Sequence, residues 1–179
     1  MEGCFGSLVK TKIGTIALIW NSEQKILALQ LPESSEANLK RKMEQKFPLV
    51  QWKQRSLPAK VAGLIVDIKN HFLGKPLHFP FDYLESSRMS PFFRKVYESA
   101  HRIPSGTVVT YQELAKKAGS PKASRAVGQA MARNPLPLLI PCHRVVGHNK
   151  KLVGFSAHGG ISTKEQLLSL ESKLHAERT

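Results

Sequence analysis

A cysteine followed at once by a histidine and an arginine, Pro141-Cys142-His143-Arg144, is the run in this chain best suited to nucleophilic chemistry. The thiolate is the reactive form of cysteine, and an adjoining imidazole and nearby cations favour it. The apolar stretch Leu136-Pro137-Leu138-Leu139-Ile140-Pro141 before it suits a thiol set in a pocket. Taken alone, a Cys-His pair fits an inert core cysteine more often than a nucleophile. The other cysteine, Cys4, is far away in sequence. A chain of 179 residues does not need a single bridge to fold, so reduced thiols and a cytoplasmic location are expected.

The elements that would position this run read mainly as helices. Ser90 is an N-cap and Pro91 a first helical residue, with Phe92, Phe93, Val96 and Ala100 on one apolar face. Ile103-Pro104-Ser105-Gly106 ends that helix. Thr110 caps the next, and Glu113 completes a capping box. The helix YQELAKKA stops at Gly119-Ser120-Pro121, and KASRAVGQAMAR follows at once. Two short helices around a tight glycine turn make a helix-turn-helix pattern, one that many unrelated helix pairs share. The second helix carries small residues, Ala123, Ser124, Ala126 and Gly128, and one long cation, Arg125. Small residues let a backbone approach closely, which suits a narrow minor groove better than base-edge readout by long side chains. Tight packing on a neighbouring helix, with Arg125 solvated, explains the same residues equally well.

Charge separates the chain into two parts. Residues 1–87 carry 12 basic and 8 acidic side chains, while residues 88–179 carry 15 and 5, so most of the net +14 lies in the second part. Such asymmetry points to a polyanion, nucleic acid by default, although a merely soluble basic protein would also show it. Hydrophobic content of 41% is that of a globular chain. No run approaches the roughly 20 apolar residues of a membrane span, and the N-terminus lacks the features of a secretion signal.

The first part mixes strands and helices. Residues 7–31 read as a β-hairpin or meander turning at Asn21-Ser22. Glu33 to Phe47 is helix-like and stopped by Pro48, and Pro58 to Phe72 repeats apolar residues at helical spacing before Gly74. HFPFDY, residues 78–83, is expected as a short edge strand because its proline restricts it to an edge. Ser86-Ser87-Arg88-Met89-Ser90 is the expected linker. The fold class is α+β: a small N-terminal α/β domain over 1–87 with a short antiparallel sheet, then a mostly helical domain over 88–179.

Four segments together carry a resemblance to one family. Asn134 to Val146, NPLPLLIPCHRVV, resembles the active-site signature of the O6-alkylguanine-DNA alkyltransferases. Val109-Thr110-Tyr111-Gln112-Glu113-Leu114-Ala115 through Arg125-Ala126-Val127-Gly128 resembles their DNA-binding motif, Gly154-Phe155-Ser156-Ala157 their substrate lid, and Lys164 to Glu171 their final helix. Residues 90–172 carry the likeness strongly; 7–85 fit only as the family's small ribonuclease-H-like N-terminal domain. The resemblance implies repair of DNA by direct reversal, with an irreversible, once-only transfer of the alkyl group from O6 of guanine to Cys142; O4-alkylthymine stays open as a substrate. It makes His143 a base acting through water, Glu171 its orienter, Tyr111 a donor to the base and Asn134 a brace for the active-site turn. Arg125 would fill the stack vacated by a flipped nucleotide, with Ala123, Ser124, Ala126, Gly128, Thr110, Lys122 and Arg133 also at the DNA. The substrate pocket would comprise Val145, Pro137, Phe155, Ser156 and Ala157. Carbonyls of Val145 and Cys142 would read the guanine amino group, and an N–H near Ser156 or Ala157 would meet O6. Tyr111 also fits a half-buried helix-start aromatic, and Glu171 an exposed last-turn carboxylate, mildly unfavourable at a helix C-terminus.

Double-stranded DNA bearing O6-alkylguanine is thus the expected partner of a monomer without cofactor, cytoplasmic, or nuclear in a eukaryote. Some relatives hold zinc through two Cys and two His. Here Cys4 is the only N-terminal cysteine, with His71 and His78 the nearest histidines, so no metal is expected. A non-catalytic lesion binder of the same fold is the alternative, which Cys142 opposes, since such relatives replace the cysteine. A Cys-His-Glu thiol hydrolase would leave the helix-turn-helix and the charge unexplained.

Overall fold

Glycine, asparagine and proline punctuate the first 50 residues into strands and one helix. In the computed structural model, which describes residues 3–52, 56–75, 77, 79–87 and 89–176, β1 (Cys4–Thr11) and β2 (Gly14–Asn21) form an antiparallel hairpin, and β3 (Ile26–Gln30) pairs antiparallel with β2. LVKTKIGTIALIW is therefore two strands; Gly14, at φ 118°, turns the chain between them. Ser35 caps α1 (Glu36–Lys46) by accepting from the Asn38 N–H, which starts the helix later than Glu33. Leu39 and Met43 of that helix bury against Cys4, Ala17, Ile19 and Ala28 of the sheet.

Two expectations need correction here. The sheet is not wholly antiparallel, because β4 (Val50–Trp52) pairs parallel to β1 and completes the order β3-β2-β1-β4. Gly6 makes room for it: a Cβ there would lie 2.8 Å from the Trp52 ring. The described part of HFPFDY, Phe79–Tyr83, is also not a strand. After extended Pro80 the chain makes a 3-10 turn over Phe81–Tyr83, and only Leu84 bridges to Ile26. Proline has no N–H for a ladder, and the segment instead folds back on itself, with the Phe79 and Tyr83 rings edge to face at 5.5 Å. His78 and Arg88 lie outside the described residues. α2 (Ala59–His71) buries Val61, Leu64, Ile65 and Ile68 on one face.

Contacts divide the chain into two units, Met1–Glu85 and Ser86–Thr179, and the class is α+β. The second unit opens with α3 (Pro91–His101), whose N-cap Ser90 accepts from the Phe93 N–H at 3.3 Å. Two-residue strand β5 (Val109–Thr110) leads into α4 (Tyr111–Lys117). Thr110 Oγ1 accepts from the Glu113 N–H and Glu113 Oε2 from the Thr110 N–H, a complete capping box. Gly119, at φ 74°, makes the turn to α5 (Ser124–Ala132), a backbone conformation that disfavours any residue with a Cβ. Tyr97 ties α3 to α5 by donating to the Ala130 carbonyl at 2.9 Å. Strand β6 (Val145–Val146) runs parallel to β5, and α6 (Ile161–Ala176) closes the unit. No helix among the described residues is long and apolar enough to cross a membrane.

Candidate active site

Cys142 begins a 3-10 turn, Cys142–Arg144, that feeds β6. The pairing Val109↔Val145 and Thr110↔Val146 sets this turn beside the start of the helix-turn-helix, which is how a nucleophile and Tyr111 come to share one cavity. Asn134 secures the approach. Its Nδ2 donates to the Ile140 carbonyl at 2.7 Å and its Oδ1 accepts from the Leu136 N–H at 2.9 Å, spanning a loop in which Leu138 takes the left-handed conformation, φ 73°. That conformation costs an L-residue about 1–2 kcal/mol, which two amide hydrogen bonds at about 1 kcal/mol each offset.

The thiol is 6% exposed. Burial pushes its pKa up; the Asn134 amide, the Lys164 ammonium and the backbone N–H groups of Cys142 and His143 pull the other way. Behind it His143 Nε2 donates to Glu171 Oε1 at 2.9 Å; a carboxylate only accepts, so Nε2 carries the proton and Nδ1 is the basic nitrogen. Glu171 is wholly buried and sits two turns into α6 from Lys164, not in a last turn, because the helix runs on to Ala176. Its oxygens also accept from Arg144 Nε at 2.9 Å, Arg144 Nη2 at 2.7 Å and the Gly106 N–H at 3.2 Å, while Arg144 Nη1 donates to the Ile103 carbonyl. The Arg144 charge is thus committed to Glu171, and the Lys164 charge is the one that acts on the thiol.

Sequence reading assigned no role to Lys164. It is fully buried, and Nζ donates to the Val145 carbonyl at 2.6 Å and the Val153 carbonyl at 3.1 Å, tying the active-site strand to the base of the 154–157 loop. Burial drives its pKa down, while Cys142 raises it. A signal for it existed: Lys164, Leu167 and Glu171 fall at i, i+3 and i+7, one helix face, and Leu167 and Glu171 are both buried. Val145 O, expected to read the base, already accepts this ammonium; a carbonyl has two lone pairs, so one remains.

A cavity of about 120 Å3 opens on Cys142, shared with Tyr111, Gly128, Met131, Ala132, Gly154, Phe155 and Ser156. Of the expected pocket residues Phe155 and Ser156 line it, with Gly154 of the expected lid, whereas Val145, Pro137 and Ala157 do not; Met131 and Ala132 were not foreseen. Tyr111 is half-buried, and burial, then Cys142, raises its phenol pKa. Arg125, Lys122 and Arg133 are exposed, while Ala123, Ser124, Ala126 and Gly128 are half-buried on α5. Thr110 spends its side chain on the cap. Among the described residues no three His, Cys, Asp or Glu side chains group as metal ligands.

Residues 91–173 match the family model described as 6-O-methylguanine DNA methyltransferase, DNA binding domain. A methylated-DNA–protein-cysteine methyltransferase of Shigella flexneri is 31% identical over 169 residues, covering 93% of this chain and 94% of that one. A protein of the same name from Methanosarcina acetivorans is 46% identical over 91 residues, 51% of this chain; the chain spans only 57% of its length. Among solved structures, Mycobacterium tuberculosis OGT in complex with DNA is similar, with 27% identity, a TM-score of 0.72, and coverage of 95% of this chain and 94% of that one. The matches place the chain in the class of DNA-repair alkyltransferases. It belongs to the methylated-DNA–protein-cysteine methyltransferase family.

Proposed function

We propose that this chain repairs DNA by moving the alkyl group from O6 of guanine to Cys142, and that DNA is its partner. The observation that carries the reading is the shared cavity, in which a buried thiol faces Tyr111 at the start of a helix-turn-helix. His143 Nδ1 takes the thiol proton, directly or through water, and the imidazolium so formed rests on the Glu171 carboxylate. Sulfur attacks the alkyl carbon, the carbon–O6 bond breaks with its electron pair on guanine, and the Tyr111 phenol supplies a hydrogen bond or proton to the departing base. A thioether is a poor leaving group, so each molecule acts once.

The target sits inside the duplex, so the nucleotide must leave the stack. The small residues of α5 permit close approach to a minor groove, and exposed Arg125 has the reach to fill the gap. The cavity is smaller than the roughly 300 Å3 at which ligand pockets begin, so admitting a base requires its walls to widen. A lesion binder without chemistry would need neither the nucleophile nor the imidazole–carboxylate pair behind it. That alternative is not favoured.

Intact-mass measurement after mixing with O6-methylguanine duplex should show one added methyl per protein, mapped to Cys142. Sustained turnover, or methylation of Cys4, would sink the reading. Arg125→Ala separates wedge from surface charge. Losing half of the few kcal/mol that unstacking costs slows transfer from saturated duplex by roughly tenfold or more, at 1.36 kcal/mol per decade. Free O6-alkylguanine needs no flipping, so its reaction should be unchanged; wild-type rates on both substrates would leave Arg125 an ordinary cation.

A further inference from the structure

The second unit carries more positive charge than the reading above uses. Arg94 is held by Glu98, Arg144 by Glu171, and Lys164 is buried on two carbonyls. Lys122, Arg125 and Arg133 belong to α5 or its ends. Two further cations converge elsewhere. Where the C-terminal ends of α3 and α4 meet β5, a groove of about 250 Å3 is lined by Ser99, Arg102, Ile103, Pro104, Val109 and Lys117. It is about twice the volume of the cavity at Cys142. Arg102 and Lys117 are both exposed, no lining residue is acidic, and neither cation forms an ion pair among the described residues.

Two like charges flanking a concavity concentrate positive potential within it and draw an anion there. The lining also has a second character. Pro104 and Val109 supply apolar surface beside the charges, and Ser99 adds a hydroxyl. That combination matches a sugar–phosphate chain, whose deoxyribose packs on apolar atoms while its phosphate takes guanidinium, ammonium and hydroxyl donors. A groove open to solvent suits a polymer passing through it better than a small anion that needs enclosure.

We propose that this groove is a second nucleic-acid contact, in which Arg102 and Lys117 hold the phosphodiester backbone outside the segment read by α5. The inference rests on DNA being the partner. It adds binding energy without base recognition, because phosphate contacts position a protein and carry no sequence information. It is also independent of the chemistry at Cys142, since neither cation touches the cavity there.

The test is duplex binding by fluorescence anisotropy across a salt series. Each phosphate neutralised contributes about 0.9 to the slope of log affinity against log salt. Arg102→Gln combined with Lys117→Gln should therefore flatten the slope by about two, and Arg102→Lys with Lys117→Arg should keep the wild-type slope. Both residues are exposed, and transfer from free O6-alkylguanine should be unchanged in both variants, reporting an intact fold. Losses confined to a longer duplex are expected for a contact outside the segment read by α5; equal losses on a duplex no longer than that segment would overturn this placement. A wild-type slope in the double glutamine variant, with Arg125→Ala still lowering it, would overturn the groove and leave the DNA reading standing. Failure of the wild type to bind duplex would overturn both.

Discussion

Cys142→Ser should abolish alkyl transfer and leave affinity for duplex DNA nearly intact. The serine hydroxyl keeps the size of the side chain, so the cavity lined by Tyr111, Met131 and Phe155 persists. What disappears is the nucleophile: an alcohol is far less acidic than a thiol, and the pull of the Asn134 amide and Lys164 on a thiol does not bring an alcohol within reach of His143. Binding should survive because phosphate contacts dominate nucleic-acid affinity, and Lys122, Arg125 and Arg133 stand apart from the sulfur on an exposed surface. Intact mass gives the first half of the result and anisotropy the second. A serine variant that binds duplex as poorly as it transfers would mean that the thiol is also a binding determinant. Residual transfer in it would mean that Cys142 is not the acceptor.

Local chemistry was legible in the residues themselves, whereas the one long-range partnership named in advance, His143 with Glu171, came through the family resemblance. Ser90 before Pro91, and Thr110 before Glu113, mark helix starts because a cap satisfies orphan N–H groups with the residues next to it. Gly119 marks the turn for the same local reason. β4 left no such trace: three residues, Val50 to Trp52, are too few to show alternation, and their place is set by Gly6 on another strand. HFPFDY misled because a proline is compatible with an edge strand but does not make one: Phe81–Tyr83 form a 3-10 turn instead. At the site, residue types pointed to Cys142, His143 and Tyr111, yet the electrostatics depend on pairs far apart in sequence. Arg144 reads as a cation for the thiolate until Glu171, 27 positions on, is seen to claim it. Lys164 has no role assigned from sequence, because its two carbonyl partners come from Val145 and Val153. Pro137 and Val145 are close in sequence to Cys142, but sequence proximity does not put a side chain on the wall of a cavity, and neither lines it.

Glu171→Gln should produce the largest loss of stability among single changes at this site, together with loss of transfer, and the two losses are separable. The carboxylate is fully buried and accepts from His143, Arg144 and the Gly106 N–H. Glutamine keeps the shape, but its amide nitrogen turns one acceptor into a donor facing donors. Arg144, 7% exposed, is then left charged without its anion. Removing one partner of a buried ion pair costs about 3–5 kcal/mol, which at about 4 °C or more per kcal/mol for a unit of this size lowers the melting temperature by roughly 12 °C or more. Transfer should also fall steeply, because the imidazolium formed when His143 takes the thiol proton no longer rests on a carboxylate. Adding Arg144→Met to Glu171→Gln removes the stranded charge. Melting should recover in part, since replacing a whole buried pair by apolar atoms is close to neutral, while transfer from the free base should stay low. A single variant that melts with the wild type would show that Glu171 is not the anion for Arg144. Transfer that returns along with stability in the double variant would show that the carboxylate supports the fold alone, and that His143 works without it.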